Sequence, residues 1–436
     1  MNKSSQLTAE VFQYLNENAA YAVLRNYNGL PYNNPSRDID ILIEKEEFLK
    51  LEKHVVRVIE KNDFNIITLY KSEKIITYVC AFVFGGKTDL VQFDFFFNTS
   101  IFGFLLLDTR EVLNSRLYNN SIYHVSKEYE FLDKFLQLKF LTKKYPEKYQ
   151  VLKDEMKQSD LLPILLQTLL GKSSIEEIES MSVFRFRFRL FKYFISKNTL
   201  QQISLLFLFV VYYIKNSIKY KGFSIGFTGP DGSGKTTVIN LIIQELSVIY
   251  PTIKLIHFRP SIIPNLGEAV HKIKLKSEVD NDFSNPHRGN KTGKINSLIR
   301  LLYLSIDYIF GYFMRVRHFL QKRSLVIFDR YYTDVIADSP RTRIYLKSNF
   351  LYLFGKFFIP QLDYNILLTA DTEVILSRKQ ELTSEGINNI NANLKFLANK
   401  KNYYLINNNK TPNEAIQKIV MTIFKEQHDK NLKSIK

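Results

Sequence analysis

Residues 229–236 read Gly-Pro-Asp-Gly-Ser-Gly-Lys-Thr and satisfy the pattern G-x-x-x-x-G-K-[ST] in full. No other stretch limits the chain so narrowly, because such a loop must run from a strand into a helix N-terminus. Both neighbours are there. Phe223-Ser-Ile-Gly-Phe-Thr228 reads as a strand, and residues 237–250 read as an amphipathic helix. Gly229, Gly232 and Gly234, with Ser233 among them, let successive backbone N–H groups turn inward around phosphates. Lys235 brings a cation to the β- and γ-phosphates, the Thr236 hydroxyl is a Mg²⁺ ligand, and Thr237 follows in the same turn. The cofactors expected are ATP and Mg²⁺.

About 90 residues on, Ser324-Leu-Val-Ile-Phe328 is an apolar strand that ends in Asp329-Arg330-Tyr331. A carboxylate at the end of a strand beside the loop strand can hold Mg²⁺, and the adjacent guanidinium can clamp a phosphoryl group in transit. Lys235, Asp329 and Arg330 are therefore candidate catalytic residues, with Thr236 and Asp329 on the metal.

With these residues in view, the stretch from about 222 to 430 resembles the thymidylate-kinase-like branch of P-loop kinases, in which an acid such as Asp231 sits within the loop. It is similar, more closely, to a subgroup associated with bacterial surface-polysaccharide genes, through His257-Phe-Arg-Pro260, Pro286-His287, Val326-Ile-Phe-Asp-Arg-Tyr-Tyr332 and Ser377-Arg-Lys-Gln-Glu381. The resemblance implies that Asp231 contacts an acceptor hydroxyl and that Arg330 contacts the transferred phosphate. It also implies that Arg259 binds the acceptor, while Arg378 and Lys379 begin a lid over the ATP phosphates. Asn407-Asn408-Asn409 ends a late strand, where adenine contacts are common. Two departures stand out. Pro260-Ser-Ile-Ile-Pro264 replaces the Gly-rich turn of such kinases, and the helix expected over 299–319 carries Leu302-Tyr-Leu-Ser-Ile-Asp307 where an arginine reads thymine. Thymidine monophosphate is accordingly expected to be a poor acceptor, and a sugar, a glycan intermediate or a nucleotide-like acceptor is expected instead.

Near the N-terminus, Ser36-Arg37-Asp38-Ile39-Asp40-Ile41-Leu42-Ile43 sets two carboxylates on one face of a strand and isoleucines on the other. Asp94, in Val91-Gln-Phe-Asp-Phe-Phe-Phe97, belongs to a strand expected alongside. Asp38, Asp40 and Asp94 are thus candidate ligands for one or two Mg²⁺ ions. Over residues 8–140 the pattern resembles the nucleotidyltransferase fold. The Gly-Ser pair of that family is missing from Val23-Leu-Arg-Asn-Tyr-Asn-Gly-Leu-Pro31, where Arg25 is the nearest substitute for a phosphate contact.

At 436 residues the chain exceeds one core. The expected class is α/β: a P-loop kinase parallel sheet flanked by helices over 216–436, an α+β nucleotidyltransferase-like domain over 1–140, and a helical connector over 141–215. Sixty Lys and Arg against 43 Asp and Glu give a net charge of +17, which favours polyanionic partners without choosing among them. No nucleic-acid recognition motif accompanies that charge, and nothing in the sequence sets an oligomeric state. One cysteine, Cys80, excludes an intrachain disulfide and suits a reducing compartment. The N-terminus lacks a secretory run, and the apolar stretch 203–214 is short of the roughly 20 residues that span a bilayer, so a cytoplasmic location is expected. Phe184-Arg-Phe-Arg-Phe-Arg-Leu-Phe191 either covers the connector with its guanidinium heads in water or makes a peripheral contact with an anionic membrane. The functional expectation is an ATP-dependent phosphotransferase acting on a small-molecule or glycan acceptor, with nucleotidyl transfer as a second activity. The alternative is a regulatory or assembly protein that senses ATP without an acceptor.

Overall fold

Alternation along residues 38–43 builds the first sheet. Ile39, Ile41 and Ile43 are buried on one face against Leu7, Val11, Phe12, Phe48 and Val55, while Leu42 packs on the opposite face with Leu132 and Leu136. In this computed structural model the described residues are 2–34, 36–84, 87–218, 222–250, 252–260, 262–263, 293–322 and 324–435. They divide into two units, Met1–Asn216 with Phe424–Lys436, and Ser217–Ile423. Pro286-His287, Ser261 and Pro264 lie outside the described residues.

The first unit holds strands β1 (Tyr21–Val23), β2 (Asp38–Ile43), β3 (Asn65–Lys71), β4 (Ile75–Phe84), β5 (Lys87–Phe96), β6 (Leu117–Asn119) and β7 (Ile122–His124). They form one sheet in the order β3-β4-β5-β2-β1-β7-β6. The sheet is mixed: β2 runs parallel to β5, whereas β1–β2, β3–β4 and β4–β5 are antiparallel. The apolar run from Ile66 to Phe84 is thus two strands of a hairpin. Helix Lys45–Lys61 covers the isoleucine face, with Glu46 and Glu47 in its first turn and Lys61 in its last, as the helix dipole favours. Among the described residues β3 has one strand neighbour, β4. At Ile66 its N–H donates to His428 Nδ1 at 3.0 Å, and its carbonyl accepts from Asn431 Nδ2 at 2.8 Å.

Residues 184–191 lie within a helix, Val183–Lys197, whose buried stripe is Phe186, Leu190 and Phe194. Phe184 and Phe188 are exposed beside arginines. The 203–214 stretch belongs to a longer helix, Thr199–Ile218, that exposes Leu200, Ile203, Phe207 and Ile214.

In the second unit, β8 (Phe223–Thr228), β9 (Ile253–His257), β10 (Leu325–Asp329), β11 (Tyr364–Thr369) and β12 (Tyr403–Asn407) form a sheet in the order β12-β11-β8-β10-β9. All four pairings are parallel. β8 is central, buried along its whole length, and feeds the helix Lys235–Ser247. The expected α/β class with a helix-flanked parallel sheet is what the structure shows. The helix read over 299–319 is one run from Lys294 to Gln321, interrupted by a π-helical turn over Tyr312–Val316. Among the described residues this run alone is long and apolar enough to cross a membrane. Its most apolar 18-residue window has a mean hydropathy of 1.2 and is 39% buried. Tyr308 and Tyr312 pack into the core, Tyr308 against Tyr331 and Tyr332, while Phe310 and Phe313 face outward.

Candidate active site

The loop between β8 and the helix that starts at Lys235 owes its shape to two glycines with positive φ, Gly232 at +87° and Gly234 at +86°. Space forbids a side chain there as well: a Cβ on Gly234 would lie 2.6 Å from Asn408 Nδ2. That amide holds the loop through a 2.8 Å hydrogen bond to the Ser233 carbonyl. Ser233 Oγ is buried with no hydrogen-bond partner. Thr236 and Thr237 are exposed at the start of the helix.

Lys235 turns back on the loop. Its Nζ donates to the carbonyls of Gly229 at 2.8 Å and Pro230 at 2.9 Å and lies 3.6 Å from Asp231 Oδ1. Burial, with Arg330 nearby, lowers its pKa to about 8 despite the attraction of Asp231. Asp231 is lowered as well. Burial would raise it, but Lys235, Arg330, Arg341 and Lys379 together hold it below the ordinary carboxylate range.

β10 ends at Asp329, and the chain turns sharply at Arg330, whose φ is +76°. Side chains rarely adopt that region, and residues held in it cluster at functional sites. The Arg330 N–H donates to the Phe227 carbonyl at 3.0 Å, which ties the turn to β8. Its guanidinium spans Asp334, 2.6 Å from Nη1, and Asp231, which accepts from Nη2. Asp329 Oδ2 lies 3.2 Å from His257 Nδ1, while Asp329 Oδ1 is buried with no hydrogen-bond partner. The orphaned carboxylate oxygen of Asp329 and the exposed Thr236 at the helix start are each the kind of oxygen donor that suits a hard cation such as Mg²⁺.

The structure thus gathers Lys235, Asp231, Arg330 and Asp329 around one loop. A further residue joins them that sequence reasoning missed: Arg341, on the short helix Ser339–Thr342, donates from Nη2 to Asp231. Nothing in its sequence spacing marks it. Lys379 approaches too, since a Cβ on Gly232 would lie 3.3 Å from Lys379 Cβ, and its Nζ pairs with Glu381 at 2.8 Å. Arg378 points to the carbonyls of Asn408 at 3.0 Å and Asn409 at 3.5 Å. Arg259 is 5% exposed, and its Nη1 lies 3.2 Å from Asp307 Oδ2 on a carboxylate that is itself fully buried.

In the first unit the register sets Asp40 opposite Asp94, and Asp38 opposite Gln92. The three carboxylates do not form a metal-holding group. Asp40 accepts from Arg25 Nε at 2.6 Å, and the same guanidinium reaches the buried Asp133 at 3.4 Å. Asp94 accepts from Thr77 Oγ1 at 2.5 Å and Gln92 Nε2 at 2.8 Å. Burial, with Asp40 and Asp38 close by, raises its pKa despite those donors. Among the described residues no group of three or more His, Cys, Asp or Glu is arranged for a metal ion. The Mg²⁺ expected on Asp38, Asp40 and Asp94 is thereby corrected: the counter-charge to Asp40 is a guanidinium supplied by the chain itself.

A family model described as the KAP family P-loop domain matches residues 207–430, more than half of the chain. Among solved structures, thymidylate kinase from Ehrlichia chaffeensis is similar to 46% of this chain and 98% of its own, at 19% identity and a TM-score of 0.33. No curated protein matches by sequence.

Proposed function

This chain belongs to the KAP family of P-loop domains, and on that premise we propose that its second unit binds ATP with Mg²⁺ and transfers the γ-phosphoryl group to an acceptor. One observation carries the reading beyond nucleotide binding: Asp231, within the loop, is bridged by Arg330 from the end of β10. A loop that only held nucleotide would not need an acid at the phosphate end, whereas an acid there can orient an attacking hydroxyl. In this reading Lys235 leaves its two carbonyls and Asp231 for the β- and γ-phosphates. Thr236 and Asp329 hold the cation, which neutralises charge on the phosphates when bound. Arg330, fixed by Asp334, meets the phosphoryl group in transit. Lys379 lies near enough to the loop to close over the phosphates. Such a site works by positioning and charge neutralisation more than by covalent chemistry.

A second reading is favoured by the buried Arg259–Asp307 pair. With that arginine committed internally, the unit serves as an ATP-sensing regulatory or assembly domain that has no small acceptor. A screen of the full chain with γ-labelled ATP across nucleoside monophosphates, sugars and sugar phosphates separates the two. Label transferred to any acceptor supports the phosphotransferase. Label appearing only as inorganic phosphate supports the sensor.

A further inference from the structure

Asp231 is shared by two guanidiniums. Arg330 donates to its Oδ1 and Arg341 to its Oδ2, and Lys235 stands 3.6 Å from the same carboxylate. All three side chains of the bridge are largely buried, at 13% exposure for Arg330, 20% for Arg341 and 14% for Asp231. Each arginine also has its own anchor. Arg330 uses Nη1 on Asp334, four residues along, and Arg341 uses Nε on Asp338, three residues back. The anchors fix the planes of the two guanidiniums and leave one Nη2 edge of each turned to a common point. At that point sits a small planar anion with two oxygens.

Two oriented guanidinium edges around one anionic centre are the arrangement arginine is suited to make around phosphoryl oxygens. A carboxylate belonging to the loop satisfies them at little cost, because buried guanidiniums without a partner are strongly unfavourable. We infer that Asp231 stands in for a phosphoryl group, and that Arg341 joins Arg330 as a phosphoryl-binding residue of this site. The inference rests on the phosphotransferase reading and adds to it a residue and a ligand chemistry. That group is either the γ-phosphoryl of the nucleotide or a phosphate on the acceptor. In both cases it displaces Asp231 from the arginine pair, which frees the carboxylate to face an acceptor hydroxyl.

The test uses the full chain and three probes: Mg²⁺–ADP, Mg²⁺ with the non-hydrolysable analogue AMPPNP, and inorganic phosphate added to the AMPPNP-loaded protein. Dissociation constants are measured by calorimetry for wild type, Arg341→Ala, Arg341→Lys and Asp231→Asn. If the γ-phosphoryl is the partner, Arg341→Ala weakens AMPPNP by about 10- to 100-fold and leaves ADP unchanged. If the acceptor carries the phosphate, the same variant leaves both nucleotides unchanged and weakens inorganic phosphate by about as much. In either case Arg341→Lys lies between, since it keeps charge without the fork, and Asp231→Asn binds the affected probe more tightly than wild type. The tightening is what a structural ion network does not give. Equal loss of ADP and AMPPNP in Arg341→Ala, or no change in any probe, overturns the inference while wild-type nucleotide binding stands. A wild-type chain that binds neither nucleotide overturns the phosphotransferase reading, and this inference with it.

Discussion

Arg259 Nη1 lies 3.2 Å from Asp307 Oδ2, and neither side chain is open to solvent. Asp307 does more than balance a charge, because its Oδ1 accepts the N–H groups of Ile262 at 2.6 Å and Ile263 at 3.0 Å. Removing one partner of a buried pair leaves the other unsatisfied, at a cost of about 3–5 kcal/mol. Asp307→Ala is therefore expected to destabilise the second unit by that order in denaturant titration, and Arg259→Ala by a similar amount. A change below about 1 kcal/mol in both variants contradicts the pairing as a structural element.

Lys235→Ala removes the cation of the loop. Turnover of ATP is expected to fall by orders of magnitude, and stabilisation by nucleotide in a thermal melt to vanish. The unloaded fold loses the hydrogen bonds to the Gly229 and Pro230 carbonyls, while Asp231 keeps Arg330 and Arg341 as partners. Unchanged nucleotide binding and turnover in this variant contradict the assignment of the loop.

The same lysine sets a pH dependence. Burial and the neighbouring Arg330 lower it to about 8 in the unloaded protein, and phosphates beside it favour the charged form and so raise it. Below about pH 8 the lysine is already charged, so nucleotide affinity is flat. Above it, binding takes up a proton, and affinity falls by up to about tenfold per pH unit. Calorimetry in two buffers of different ionisation enthalpy reads that uptake directly. Lys235→Arg should abolish it.

In the first unit, Arg25→Ala strips Asp40 and the buried Asp133 of their shared cation. A loss of about 3–5 kcal/mol is expected at neutral pH. Burial already raises the Asp133 carboxyl against the pull of Arg25, and without the arginine it is held further above its unfolded pKa, so the folded state binds more protons than the unfolded one and acid favours it. The gap in melting temperature between variant and wild type should narrow from pH 7.5 to pH 5. A gap that widens on acidification refutes Arg25 as their counter-ion.

Thymidine monophosphate tests the acceptor. In the stretch where the resemblance read from the sequence leads one to expect a base-reading arginine, the helix Lys294–Gly311 carries Leu302-Tyr-Leu-Ser-Ile-Asp307. A kcat/KM far below the roughly 10⁴–10⁸ M⁻¹s⁻¹ of enzymes on native substrates is expected in a coupled assay. A value within that range sinks the expectation.

Local patterns made the loop legible, because Gly232 and Gly234 must be glycine for the backbone to turn as it does. They also set the strand faces, since Ile39, Ile41 and Ile43 could only be buried on one side. Asp40 and Asp94 were legible as neighbours for the same reason. Their partners were not. Arg25 reaches Asp133 across 108 positions of sequence and Arg341 reaches Asp231 across 110, so each meets its acid only through the tertiary fold. Arg259 follows its strand as the motif predicts, yet its fate depends on Asp307, 48 residues away on a helix whose inward face no pattern identified.

β3 bears on how this chain can be divided. An outermost strand offers unpaired backbone groups to any other strand it meets. Here Ile66 presents both its N–H and its carbonyl to His428 and Asn431, from the far end of the chain. A fragment cut after residue 216 keeps all seven strands and loses that cover. It should form oligomers through β3, whereas the same fragment with residues 424–436 supplied as a peptide should remain monomeric.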